Sequence, residues 1–446
     1  MMSKNENLHQ RMSIVALTWP ILVEILLRTA IGTSDVFMLS SYSDKAVSAV
    51  GVITQLSFFL IIVSTFVSSG TGILIAQYNG SERTQDSTDV GVASIALSVA
   101  VGLLLSMIAV LGAFYFLPFY GLEALVELYA KEYLIISGAM TFNVTIGIAL
   151  TTILRSYGYS RSPMVVNLIS GLINLIGNYI ALYQPFGLPV YGVQGVAIAT
   201  VISQAIGTVI LGVILSKSSI SLPMRSLKQI PPAVYSRILK IGGMNAGESL
   251  SYNMAQIAIV YFVVQMGTAS LAAFTYAQNI ARFSFAFALA IGQATQIQAG
   301  YYIGKGWIES ILKRVQIYFL VSFAVSITAA STIYFFREAI VSVFTDQPDI
   351  FYLTGSLLLG SIILEAGRVF NLVFISGLKG AGDVRFPVQI GIVCMWGIGV
   401  LCAYLFGIHW GYGVLGAWMA IALDEWVRGI IMLIRWRSST WIRFKF

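Results

Sequence analysis

The sequence predicts an all-α polytopic membrane protein, with twelve transmembrane helices arranged as two pseudo-symmetric six-helix lobes. Three observations carry that prediction. Of 446 residues, 57% are apolar and only 10% are charged, at a mean hydropathy of +0.84. A soluble domain carries about a quarter charged residues. Apolar runs of about 20 residues, the length that crosses a bilayer as helix, recur from one end to the other. The short alternating segments of a transmembrane barrel are absent. Finally, the second half of the chain repeats the first.

The polar start "MMSKNENLHQRM" precedes a run that reaches Leu39. That run is too long for a signal-peptide core and ends in no small-x-small cleavage site, so it reads as a retained first helix. Hydropathy then centres twelve spans near residues 27, 63, 101, 143, 173, 204, 251, 287, 324, 365, 396 and 424. With the N-terminus inside, the cytoplasmic segments hold nineteen of the 26 Lys and Arg, and the opposite loops hold Lys45, Lys131 and Arg337. The remaining four, Arg28, Arg282, Arg368 and Arg428, fall within spans. This asymmetry places both termini in the cytoplasm. It also explains the net charge of +7 without a nucleic-acid partner. Cys394 and Cys402 lie eight residues apart on one predicted helix, too far to pair, and read as packing residues.

The repeat is visible residue by residue. "LRSYGYSRSP" (154–163) matches "LKGAGDVRFP" (378–387) at a shift of 224, which also relates Glu24 to Glu248, Ala49 to Ala273, Tyr78 to Tyr302 and Gly80 to Gly304. "YGVQG" (191–195) matches "YGVLG" (412–416) at 221. The N-lobe is 1–220, the cytoplasmic linker "SLPMRSLKQIPPAVYSR" is 221–237, and the C-lobe is 238–446. Six spans per half make the repeat parallel, an architecture suited to alternating access.

An ionised side chain within a span costs a few kcal/mol at least, so it pairs, protonates or binds an ion. Spacing offers local pairs for most: Glu24 with Arg28, Glu365 with Arg368, and Asp424 and Glu425 with Arg428. Asp35 has no such neighbour. Counting from span ends puts Asp35, Asn174, Asn178 and Thr200 at a common depth, about 9–15 Å below the outer surface. One carboxylate, two amides and a hydroxyl can hold Na⁺, or hydrogen-bond a carboxyl that exchanges a proton. They can also be ordinary interhelical glue. In the second half these positions become Ile259, Ile398, Cys402 and Ile421, so the site belongs to the N-lobe. Glu248, alone on its helix, reads equally as a substrate-facing carboxylate or a lobe-core one.

Other functions fit poorly. "GYYIGKG" (300–306) has neither the spacing nor the Ser/Thr of a phosphate loop, so ATP is not used by this chain. An intramembrane enzyme needs clustered metal-binding acids or a nucleophile–base pair; only Asp424 and Glu425 are adjacent, and His9 and His409 lie in tail and loop.

Several stretches together resemble the multidrug and toxic compound extrusion (MATE) family. They are "TWPILVEILLRTAIGTSDVFML", "AVGVITQLSFF…GTGILIAQYNG", "KIGGMNAGES", "MGTASLAAFTYAQNIARFSFAFALAIGQATQIQAGYYIGKG" and "GLKGAGDVRFP". The resemblance covers nearly the whole chain. It implies two lobes in a V, and a secondary antiporter that exports amphipathic organic cations in exchange for H⁺ or Na⁺. Such a protein acts as a monomer in the bacterial cytoplasmic membrane, with no cofactor beyond the coupling ion. The family's N-lobe cation site maps onto Asp35, Asn174, Asn178 and Thr200, with Asn178 standing where some members have a second aspartate. Its Na⁺-coupled members carry a C-lobe acidic pair, for which Glu248 and Glu365 are loose matches. Pro20, which removes a backbone hydrogen bond, is the expected bend of the first helix. A lipid-linked precursor flippase of the same superfamily is the nearest alternative; such proteins usually have fourteen spans and cationic cavities.

Overall fold

The computed structural model describes residues 11–183, 187, 189–223 and 229–444; among them are helices and no strands. Twelve long helical segments follow the order read from hydropathy. They are α1 Ile14–Ser40, α2 Asp44–Gly80, α3 Thr84–Tyr115, a two-part α4 (Ala124–Ala139 and Thr141–Ser156), α5 Arg161–Tyr183 and α6 Gly192–Lys217. The second set is α7 Pro232–Gln265, α8 Thr268–Gly304, α9 Ile308–Phe335, α10 Pro348–Gly380, α11 Arg385–His409 and α12 Gly413–Arg437. The two parts of α4 meet at 47°. α7 begins inside the 221–237 stretch, whose residues 224–228 lie outside the described part. α1 runs through Pro20 as one helix.

Eight of these helices are long and apolar enough by themselves to cross a membrane, and α4 taken whole makes nine. The others, α7, α8 and α12, carry polar residues such as Glu248, Gln298 and Asp424, which are buried against neighbouring helices. A helix enclosed by protein needs no all-round apolar surface. In one compact unit, residues through Ile75 with Arg83–Ala246, α5 packs on α1 and α6, and α3 on the second part of α4. In the other, Ala76–Glu82 with Gly247 onward, α10 is the hub, packed on α8, α9 and α12. Its apolar window is 72% buried, against 22–33% for the other seven that pass alone.

The repeat is written into the backbone. Gly158 (φ 82°) and Gly382 (φ 93°) take the left-handed conformation that ends a helix. Around them Tyr159 N donates to Leu154 O at 2.9 Å, and Asp383 N to Leu378 O at 3.1 Å, the same turn 224 residues apart. A different constraint acts at Gly80 and Gly304. A Cβ on Gly80 would lie 2.1 Å from the Tyr301 carbonyl oxygen, and one on Gly304 2.2 Å from that of Gln77. The shift of 224 maps Gln77 onto Tyr301 and Gly80 onto Gly304. Two repeat-related backbones therefore touch, and both need glycine.

The same symmetry reproduces an ion pair. Arg155, in the last turn of α4, hydrogen-bonds Glu24 of α1, and Lys379, in the last turn of α10, hydrogen-bonds Glu248 of α7. The sequence reading gave Glu24 to Arg28 alone. That i,i+4 contact is present at 3.6 Å, with 60% of the Arg28 side chain exposed, and the structure adds Arg155 as the nearer partner. Interhelical contact wins because Arg155 approaches Glu24 in a largely buried setting. Removing one partner of a buried pair costs about 3–5 kcal/mol. Lys379→Ala leaves Glu248 bare and is expected to cost roughly 3 kcal/mol. Arg155→Ala costs less, because Glu24 keeps Arg28. Thermal unfolding of both variants in detergent checks the order; equal losses would contradict it.

Candidate functional site

Asp35 lies in the C-terminal half of α1, facing α5. Asn174 and Asn178 are one turn apart on α5, and Thr200 lies two turns into α6, so three helices that pack together supply all four groups. The contacts form a chain. Asn178 Nδ2 donates to Asp35 Oδ1 at 2.7 Å and lies 3.4 Å from Asn174 Oδ1. Asn174 Nδ2 donates to Thr200 Oγ1 at 3.1 Å, and Thr200 donates in turn to Val196 O at 2.9 Å. Asn174 and Asn178 are buried. Tyr133 of α4 adds its hydroxyl beside Thr200, a neighbour whose place in the sequence gave no hint of it. All four groups of the sequence reading thus come together.

The arrangement leaves one acceptor over. Asn178 Oδ1 is buried without a hydrogen-bond partner, which costs about 1–3 kcal/mol unless something fills the need. A monovalent cation or a proton on the carboxyl is chemistry that this set of oxygens accommodates.

Asp35 differs from the other in-span carboxylates in its partner. Glu24 and Glu248 meet Arg155 and Lys379, Glu365 meets Arg368 at 2.6 Å, and Asp424 and Glu425 meet Arg428 at 2.6 and 3.0 Å. Among the described residues no ammonium or guanidinium is bonded to Asp35. Glu248 and Glu365 are not brought together: Glu248 is held by Lys379, while Glu365 belongs to a buried network with Arg368, Asn371, Glu425 and Arg428. Cys394 and Cys402 are both free on α11.

A cavity of about 240 Å³ opens beside Asp35, lined also by Arg28, Ile31, Gly32, Asn167, Gly171, Asn174, Thr200 and Ser203. The repeat-related positions in the other unit line a space of only about 10 Å³. There Arg28 is replaced by Tyr252, Gly32 by Gln256, Asp35 by Ile259, Gly171 by Met395 and Thr200 by Ile421. Ile259, Cys402 and Ile421 join an apolar core. Gly32 thus leaves space where Gln256 stands in the other half, while at Gly171 a Cβ would meet Ile31 Cδ1 at 2.1 Å, so that glycine admits the Ile31 side chain. An ideal Cβ on Gly32 meets nothing within 4 Å, so Gly32→Gln is expected to fill the cavity while stability stays within about 0.5 kcal/mol. Labelling of Asp35 by a hydrophobic carbodiimide, read by mass spectrometry, should then be lost. Undiminished labelling would show that the cavity is not the route to Asp35.

Comparison with known proteins agrees with this organisation. The MatE family model matches twice, at residues 20–180 and 246–405, once per half. The uncharacterized transporter YisQ of Bacillus subtilis is 37% identical over 97% of this chain and 95% of its own. Multidrug resistance protein MdtK of Photorhabdus laumondii is 23% identical, covering 90% and 88%. Among solved structures, a multidrug resistance MATE transporter of the MOP superfamily in an outward-facing conformation superposes with a TM-score of 0.88. It shares 20% identity and the match covers 98% of both chains. The chain belongs to the MatE family, the multidrug and toxic compound extrusion proteins, which are membrane transporters and not enzymes.

Proposed function

We propose that the chain is a secondary active antiporter. It exports amphipathic organic compounds carrying a cationic group across the bacterial cytoplasmic membrane, in exchange for H⁺ or Na⁺. It works as a monomer with both termini in the cytoplasm, the orientation favoured by the Lys and Arg distribution. The observation that carries this reading is Asp35, a carboxylate within a span that is held by an amide instead of a cation and lines a cavity.

The physical logic is competition. A coupling cation bound by Asp35, Asn174, Asn178 and Thr200 and the cationic group of a substrate need the same carboxylate. One leaves when the other arrives, and that mutual exclusion is the minimum requirement of exchange. Neutralising Asp35 also alters how α1 packs on α5 and α6. Pro20, with no N–H to donate, is where α1 bends in response.

The test is efflux from proteoliposomes under separately imposed proton and sodium gradients. Unmodified protein is expected to move substrate with at least one gradient. Asp35→Asn, which keeps the shape and the Asn178 contact, is expected to fall to the level of protein-free liposomes while melting as the parent does. Gradient-driven efflux by Asp35→Asn would remove the basis of the proposal.

A further inference from the structure

Arg28 has no place in that exchange. It lies fourteen residues from the start of α1 and twelve from its end, roughly 18–21 Å from either terminus at 1.5 Å per residue. An arginine side chain is far shorter than that distance. Yet 60% of that side chain is exposed, and the residue lines the 240 Å³ cavity. Among the described residues its one charge contact is Glu24 at 3.6 Å, and Glu24 is already hydrogen-bonded to Arg155. A guanidinium stays protonated at any physiological pH, so an exposed one at mid-span calls for water or an anion around it.

Its position on the helix is informative. Arg28 and Asp35 are seven residues apart, hence on one face of α1 and about 10 Å apart along it. Ile31 and Gly32 lie between them on the cavity wall. The α1 wall of the cavity thus presents a fixed cation at one end, a carboxylate at the other and Ile31 and Gly32 between, facing the polar Asn167, Ser170, Ser203 and Gln204 of α5 and α6. In the second unit Tyr252 and Ile259 stand in their places, and the space, lined also by Asp424, is only about 10 Å³.

We propose that Arg28 is an anion-binding residue of this cavity. The compounds it accepts are amphipathic zwitterions, with a carboxylate or phosphate held by Arg28 and an ammonium directed to Asp35. This rests on the efflux reading for its context and deepens it by naming the substrate class.

Equilibrium binding tests it without any ion gradient, so a failure of antiport and a failure of this assignment are separable. The probe is 4-(4-aminobutyl)benzoate, whose extended length spans the Arg28–Asp35 interval, compared with its methyl ester by calorimetry on purified protein. A charge-assisted hydrogen bond is worth about 1.5–3 kcal/mol, so the acid is expected to bind unmodified protein at least about tenfold more tightly than the ester. Arg28→Gln should bring that ratio to about one, and Arg28→Lys should keep most of it. Equal affinities in unmodified protein overturn the proposal, and this comparison needs no variant to fold. The same titration in nanodiscs separates the two sources of an anionic group. Unchanged acid binding when phosphatidylglycerol replaces phosphatidylcholine supports a solute. Loss of acid binding assigns Arg28 to a lipid headgroup and overturns the solute form.

Discussion

A carboxylate inside a membrane-spanning helix must be neutralised, and the rest of this structure depends on how each one is. The chain uses a neighbouring helix for the purpose. Arg155 reaches Glu24 and Lys379 reaches Glu248 from the last turns of equivalent helices. These two bonds tie the first helix of each half to its fourth. They were inherited through duplication, and each half still holds its copy, so they read as structural. Against that background Asp35 stands out by its amide partner. On the proposed reading, its neutralising group is something that arrives and departs.

The two halves show what separates a working site from a packed core. Their backbones follow the same turns, down to Gly158 and Gly382. The difference lies in a few side chains. Gln256 stands where Gly32 leaves space open, and Met395 where Gly171 admits the Ile31 side chain. Burying apolar surface is worth about 25 cal/mol per Å², and an open cavity forgoes that along with the dispersion contacts of its lining. The second half has taken the stability. The first half keeps the cavity, and beside it a buried amide oxygen, Asn178 Oδ1, without a hydrogen-bond partner.

Much of this was legible in the sequence. The order of helices follows hydropathy because lipid demands apolar runs of one length. The grouping of Asp35, Asn174, Asn178 and Thr200 followed from depth, since helical rise converts residue counts to height, and from the family resemblance. Partners of the charged residues were less visible. Spacing along one helix gave Glu24 to Arg28, but only packing reveals that Arg155 lies closer. The signal existed: the shift of 224 that joins Glu24 to Glu248 also joins Arg155 to Lys379. A pair of opposite charges preserved at both ends of a repeat implies contact. Volume was the harder quantity, because no single glycine announces a cavity. Only the comparison of Gly32 with Gln256 and Gly171 with Met395, once their helices are packed, shows which half is hollow.

The two charges of the cavity differ in kind, and under the proposed exchange of a zwitterion for a coupling ion that difference would govern release. A carboxylate can be neutralised by a proton or a small cation, whereas a guanidinium cannot be discharged at physiological pH. With Asp35 free, a zwitterionic guest is held at both ends. Once a coupling ion occupies Asp35, the ammonium loses its partner while Arg28 keeps the other end in place. The guest then hangs by one contact, and losing a charged hydrogen bond of about 1.5–3 kcal/mol shortens its stay by roughly ten- to a hundredfold. Release follows from weakening one contact of two, so neither strong binding nor a large rearrangement of the cavity is needed to empty it.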